Sequence, residues 1–92
     1  MTTICTSRYW DGEPMKTAPN PDKEALLAFL GKFPFVAAAA GHFTDAVTGE
    51  EVGEDWLSYE AGGYSWDSSD VYHFDKYDLE LTPEFCQYAL AR

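Results

Sequence analysis

Within "TAPNPDKEALLAFLGKF", residues 17–33, the apolar positions Ala25, Leu26, Phe29 and Leu30 recur at three- and four-residue spacing. That is the period of one helix face, and it predicts that these four side chains look into a core. The punctuation agrees: Asn20 suits the N-cap, Pro21 the first helical position, Asp22 and Glu24 the positive end of the helix dipole, and Gly31 the stop. The stretch before it, with Gly12, Pro14 and Pro19, reads as a loop after a short strand within residues 3–10.

The period then changes. In "FPFVAAAAGHFTDAVTGEEVGEDWLSYEAGGYSW" the four alanines favour a helix by propensity alone, but Thr48-Gly49 and Gly62-Gly63 are hairpin signals set among aromatic and β-branched residues. The expectation is a three-stranded antiparallel meander. A two-residue loop at Gly62-Gly63 puts Ala61 opposite Tyr64 and Tyr59 opposite Trp66. Leu57, Tyr59, Ala61, Tyr64 and Trp66 then share a core face, while Trp56, Ser58, Glu60, Ser65 and Asp67 share an outer one, with Trp56 as an exposed indole.

The segment "DSSDVYHFDKYD", residues 67–78, fits two periods. As a strand it alternates Val71, His73 and Asp75 against Tyr72, Phe74 and Lys76. As a helix it starts with Ser68 or Ser69 as N-cap, has Asp70 in its first turn, and spaces Val71, Phe74 and Tyr77 by three. The serine and aspartate chemistry favours the helix, and a further hairpin would set Asp67 against Asp70. The closing "LTPEFCQYALAR" is a helix with Thr82 as cap, Pro83 at its first position, and Phe85, Cys86, Ala89 and Leu90 inward. The expected fold is therefore α+β: a three-stranded antiparallel β-meander packed with one helix from the N-terminal half and one or two C-terminal helices. At 92 residues it forms a single small domain spanning residues 1–92.

Composition supports folding, since 46% hydrophobic and 16% aromatic residues lie far from the signature of disorder. Charge changes the picture. The net charge is −10, and it is concentrated: residues 1–44 hold four acids and four bases, whereas residues 45–84 hold twelve acids against Lys76 alone. Such a field favours solubility and attraction to positive partners, and it excludes direct binding to nucleic acid or an anionic membrane. No apolar run is long enough to span a bilayer. The opening "MTTICTSRYW" lacks the basic and apolar regions of a secretory signal, which predicts a cytoplasmic protein. In a reducing compartment Cys5 and Cys86 are expected as free thiols.

Candidate chemistry adds little. With sixteen acids, some carboxylate pair will meet catalytic spacing by accident. His42 and His73 have no nucleophile elbow near them and are expected at the surface or the edge of the core. "DAVTGEEVGED" lacks the ligand spacing of a calcium loop, and the two cysteines and two histidines lack the short pairwise spacing of a zinc site. No enzyme activity, cofactor or metal is expected.

Binding through the acidic half remains. Same-face side chains on a strand lie about 6.6 Å apart and strands about 4.8 Å apart, while one DNA strand presents a phosphate about every 3.4 Å. Carboxylates on a sheet approach that density. Glu50, Glu51, Glu54, Asp55, Glu60, Asp67 and Asp70 fall on the meander and its turns, with Asp75, Asp78 and Glu80 following, and together they form the candidate partner-binding surface. Trp56, Tyr64 or Tyr72 would supply buried anchors. The expected partner is a basic protein, met by a monomer.

A short single-domain chain with one strongly acidic half resembles the phage and mobile-element inhibitors called anti-CRISPR proteins, several of which mimic DNA. The resemblance is one of size and charge distribution along the whole chain. It implies an inhibitor that occupies the DNA- or RNA-binding groove of a Cas effector subunit in a host bacterial cell. The ending "YDLELTPEFCQYAL" is also similar to the endings of some immunity proteins, which implies the alternative of neutralising a basic nuclease toxin.

Overall fold

A computed structural model of the chain describes residues 2–92. In chain order the elements are β1 (Thr2–Thr3), a 3-10 turn (Tyr9–Asp11), α1 (Lys23–Leu30), β2 (Ala37–Thr44), β3 (Glu51–Ala61), β4 (Tyr64–Asp67), α2 (Ser68–Tyr77) and α3 (Pro83–Leu90). The architecture is α+β, as expected. Ala61 pairs with Tyr64 and Tyr59 with Trp66 around Gly62-Gly63, the register that the two-residue loop dictates.

The sheet is nevertheless four-stranded and mixed, in the order β1-β4-β3-β2, because β1 joins β4 in parallel. The Thr2 N–H bonds Gly63 O, the Thr82 N–H bonds Ile4 O, and Cys5 forms an antiparallel bridge with Leu81, so the segment after β1 runs beside the segment before α3. Two residues are too few to carry a period, which is why this strand escapes the pattern. The strand expected within residues 3–10 shrinks to Thr2–Thr3, and the chain instead turns at Tyr9–Asp11, where Gly12 at φ 90° ends the turn.

The helices begin at different residues from those the pattern suggests. Asn20 accepts the Asp22 N–H on its side chain (2.9 Å), which closes a turn before the helix, and the first helical bond runs from the Leu26 N–H to Asp22 O. Asn20 and Pro21 therefore precede α1 rather than open it. The segment 68–77 is helical, but its N-cap is Asp67, not Ser68 or Ser69. Asp67 is the last extended residue of β4 (φ −117°, ψ 165°), and the Asp70 carboxylate reaches back to its N–H at 3.0 Å. Ser68 bonds the Leu57 N–H and Asp55 O and so extends the strand edge. In α3, Thr82 accepts the Phe85 N–H and Pro83 is the first residue, as expected.

Trp66 sits at the centre of the core. Its ring meets those of Phe29, Phe33, Tyr59 and Phe85 at centroid distances of 5.9 to 6.2 Å, joining the sheet to α1 and α3. Ile4, Leu26, Leu30, Phe74 and Leu79 complete the buried cluster. Ala25 and Leu90 are exposed and Cys86 is only half-buried, because each short helix turns a narrow face inward; Leu57, on β3, is also only half-buried. Cys5 and Cys86 are free thiols. Among the described residues no helix is long and apolar enough to cross a membrane.

Candidate functional site

The candidate residues lie on β3, β4 and the hairpin before β3, and, for Asp70, Asp75, Asp78 and Glu80, on α2 and the segment after it. Glu50, Glu51, Glu54, Asp55, Glu60 and Asp75 are exposed. The hairpin from β2 to β3 projects Glu50 and Glu51 at its tip, and Glu54 and Asp55 follow where the register shifts. The His42 Nδ1–H donates to Glu54 O (2.8 Å) across that shift, and the Glu54 and Asp55 side chains are exposed to solvent. No ion pair among the described residues involves any of these six acids. The pairs formed are Arg8 with Asp11, Lys23 with Asp78, and Lys76 with Asp45 at 3.9 Å.

The other candidate acids are engaged within the fold. Asp78 closes α2 in the left-handed conformation (φ 59°) and pairs with Lys23 at 2.7 Å. Glu80 accepts from the Thr6 hydroxyl. Asp67 accepts from Trp56 Nε1 (3.1 Å) and Ser58 Oγ (3.1 Å). Trp56 is therefore half-buried and tethered rather than a free exposed indole.

Asp70 departs furthest from the expected acidic surface. It is 7% exposed, with the Tyr9 hydroxyl donating to Oδ1 at 2.6 Å and the Cys5 thiol at 3.5 Å. A helix start at Asp67 turns position 70 inward beneath the N-terminal segment, so its carboxylate does not reach the surface. Burial pushes the Asp70 carboxyl up. The bonds from Tyr9, the Asp67 N–H and Cys5 oppose that rise, and the neighbouring Asp67 charge adds to it. Burial and then the Asp70 charge likewise raise the Cys5 thiol and the Tyr9 hydroxyl, which keeps both protonated. The helix does not separate Asp67 from Asp70, contrary to the reason for preferring it; the N-cap geometry holds them three residues apart on one turn.

The expected anchors Tyr64 and Tyr72 are spent as well. Tyr64 packs on Phe85 and Tyr88, and Tyr72 donates to Asp45 Oδ2 at 2.7 Å. Asp45, 2% exposed, also receives the Tyr77 hydroxyl (2.6 Å) and the Val47 and Thr48 N–H groups, so one carboxylate fastens the β2–β3 loop to α2. Burial alone would raise this carboxyl, but those hydrogen bonds outweigh it and hold it well below the usual carboxylate range.

His73 is fully buried, not at the core edge. Its Nδ1 meets Ser69 O at 2.7 Å and its Nε2 accepts the Ala46 N–H at 2.9 Å, an arrangement that defines the neutral Nδ1–H tautomer. Neither ring nitrogen is free to take a proton from Ser69. Among the described residues no group of three or more His, Cys, Asp or Glu side chains is placed to hold a metal ion.

Two cavities open on this side of the molecule, of about 280 and 310 Å³, and both are lined by Trp10 and Trp56. Trp10, in the 3-10 turn, is 44% exposed. The sequence pattern does not single it out, because it lies outside any periodic segment; an aromatic pair, Tyr9-Trp10, next to a glycine turn is the one signal available. No family model, no curated protein and no solved structure matches the chain.

Proposed function

We propose that the protein is a small acidic inhibitor that occupies the basic nucleic-acid-binding surface of a target protein, in the manner of DNA-mimicking anti-CRISPR proteins acting on a Cas effector. The observation that supports this reading is the set of six exposed carboxylates, Glu50, Glu51, Glu54, Asp55, Glu60 and Asp75, with no cationic side chain paired to any of them among the described residues. Of the four bases in the N-terminal half, Arg8 pairs with Asp11, Lys23 pairs with Asp78, and Lys32 lies over the Phe29 and Phe33 rings. None of these three pairs with any of the six exposed acids. A groove lined with Lys and Arg would meet the field of these acids at accelerated rates.

The test is competition between the protein and target DNA for a panel of Cas effector complexes. Inhibition should weaken steeply as salt rises. The triple reversal Glu54→Lys, Asp55→Lys, Glu60→Lys spares Asp67, which caps α2. It should reduce inhibition more than tenfold, whereas each single change should cost about fivefold or less, because single exposed ion pairs contribute about 0–1 kcal/mol. DNA loading unchanged by excess protein at low salt, across the panel, would remove the Cas reading. Neutralisation of a basic nuclease toxin instead would assign the same surface to an immunity role.

A further inference from the structure

We propose that the cleft between Trp10 and Trp56 is a binding site for a guanidinium group, an arginine side chain presented by a basic protein partner. The two indoles line both cavities and so stand between them. Trp10 meets the Tyr9 ring edge-on (5.2 Å, 80°), and among the described residues no aromatic ring packs against Trp56. Both indoles border openings, Trp10 being 44% exposed and Trp56 half-buried. Trp56 is held in place at its edge, by the bond from Nε1 to Asp67 Oδ2.

Charge decides the class of ligand. Asp67 and Asp70 line one of the two cavities, and no lysine or arginine lines either. An anion or a nucleic acid would be repelled there; a cation would be attracted. Asp67 accepts two hydrogen bonds, from Trp56 and Ser58, and a carboxylate has about four acceptor sites, so it retains capacity for an incoming donor. Asp70 is buried with neutral donors only, and a cation nearby would supply the opposite charge that the fold does not.

Size and shape narrow it further. Each cavity is at or below the lower end of the roughly 300–1,000 Å³ typical of small-molecule sites, which suits one side chain better than a free cofactor. A planar guanidinium stacks on indole faces while its edge donates to a carboxylate, a combination that a lysine ammonium does not match. The identity of the partner as a basic protein rests on the function proposed above, but occupancy of the cleft by arginine does not.

The experiment is a titration of the protein with N-acetyl-arginine methylamide, with its neutral citrulline counterpart, and with a short arginine-containing peptide. It is read by the indole N–H resonances of Trp10 and Trp56. Arginine and the peptide should shift the Trp10 and Trp56 signals saturably, and citrulline should leave them unchanged. Trp10→Ala, a change at an exposed turn, and Asp67→Asn, which keeps a good N-cap, should each weaken binding about five- to tenfold. No saturable shift, or an equal response to citrulline, would overturn the site. Arginine binding without any inhibited target leaves the cleft standing and removes the inhibitor reading. Inhibition unaffected by Trp10→Ala, with no arginine response, does the reverse.

Discussion

The Tyr9 hydroxyl donates a 2.6 Å hydrogen bond to Asp70 Oδ1, joining buried groups 61 residues apart in the chain. The same carboxylate receives the Asp67 N–H and the Cys5 thiol, so the N-terminal segment, the end of β4 and the first turn of α2 converge on one side chain. Among the described residues Asp70 has no cationic partner. Its solvation comes from these neutral donors and from the N-terminal end of the α2 dipole.

Tyr9→Phe should therefore cost stability out of proportion to the single oxygen removed. A buried carboxylate that loses its shortest bond keeps most of its desolvation penalty, which corresponds to about 1–3 kcal/mol. Urea unfolding should show a lower midpoint with an unchanged slope. Cys5→Ala should cost less, because a thiol at 3.5 Å is a weak donor. A Tyr9→Phe variant within about 0.5 kcal/mol of the parent would mean that Asp70 is not held by this hydroxyl.

Much of the fold is legible in the sequence wherever a local rule is enforced by covalent geometry. Gly62-Gly63 supplies the positive φ that a two-residue turn needs, from which the register Ala61 opposite Tyr64 follows, and Thr82-Pro83 suits the start of a helix. What escapes depends on contacts distant in sequence. β1 exists because residues 2–5 find β4 and Leu81, and two residues carry no period. The candidate site divides along the same line. Exposure of Glu50, Glu51, Glu54, Asp55 and Glu60 follows from hairpin position, whereas Asp45 and Asp70 are drawn inward by tyrosines that the alternation of the acidic half does not reveal. A count of carboxylates cannot distinguish one that addresses a partner from one that fastens a loop.

Those two inward aspartates should give the stability profile opposite slopes. Asp45 is held below its unfolded value of 3.8, so its contribution is present above that pH and is lost as the pH falls toward its lowered folded value. Asp70 is raised above 3.8, so its contribution is present below that pH and is lost as the pH rises through its raised folded value. In urea unfolding from roughly pH 3 to pH 8, the deficit of Asp45→Asn relative to the parent should be largest near neutrality and should narrow toward acid. Asp70→Asn should compare most favourably with the parent at neutral pH and progressively less so toward acid. Parallel curves for all three proteins would contradict both assignments.

The turn at Gly62 offers a test of how the sheet meets α3. Gly62 has φ 59°, and a Cβ placed there would overlap the ring of Tyr88. Tyr88 also packs on Phe29 and Tyr64, with Arg92 over its ring at 4.4 Å, so it cannot withdraw without uncovering other contacts. Gly62→Ala should cost about 1–2 kcal/mol for the left-handed backbone and about 1–3 kcal/mol for the overlap. Tyr88→Ala removes only the second cost. The double variant Gly62→Ala, Tyr88→Ala should therefore be more stable than the sum of the single losses predicts, with the backbone cost remaining. Additivity within about 0.5 kcal/mol would mean that the two residues do not meet, since independent sites add and touching ones do not. A turn closed by glycine for its dihedral alone would tolerate Asn, which visits the left-handed region, far better than Ala. Because the ring lies over this one, Gly62→Asn should be nearly as damaging as Gly62→Ala, and it should recover markedly once Tyr88 is reduced to alanine.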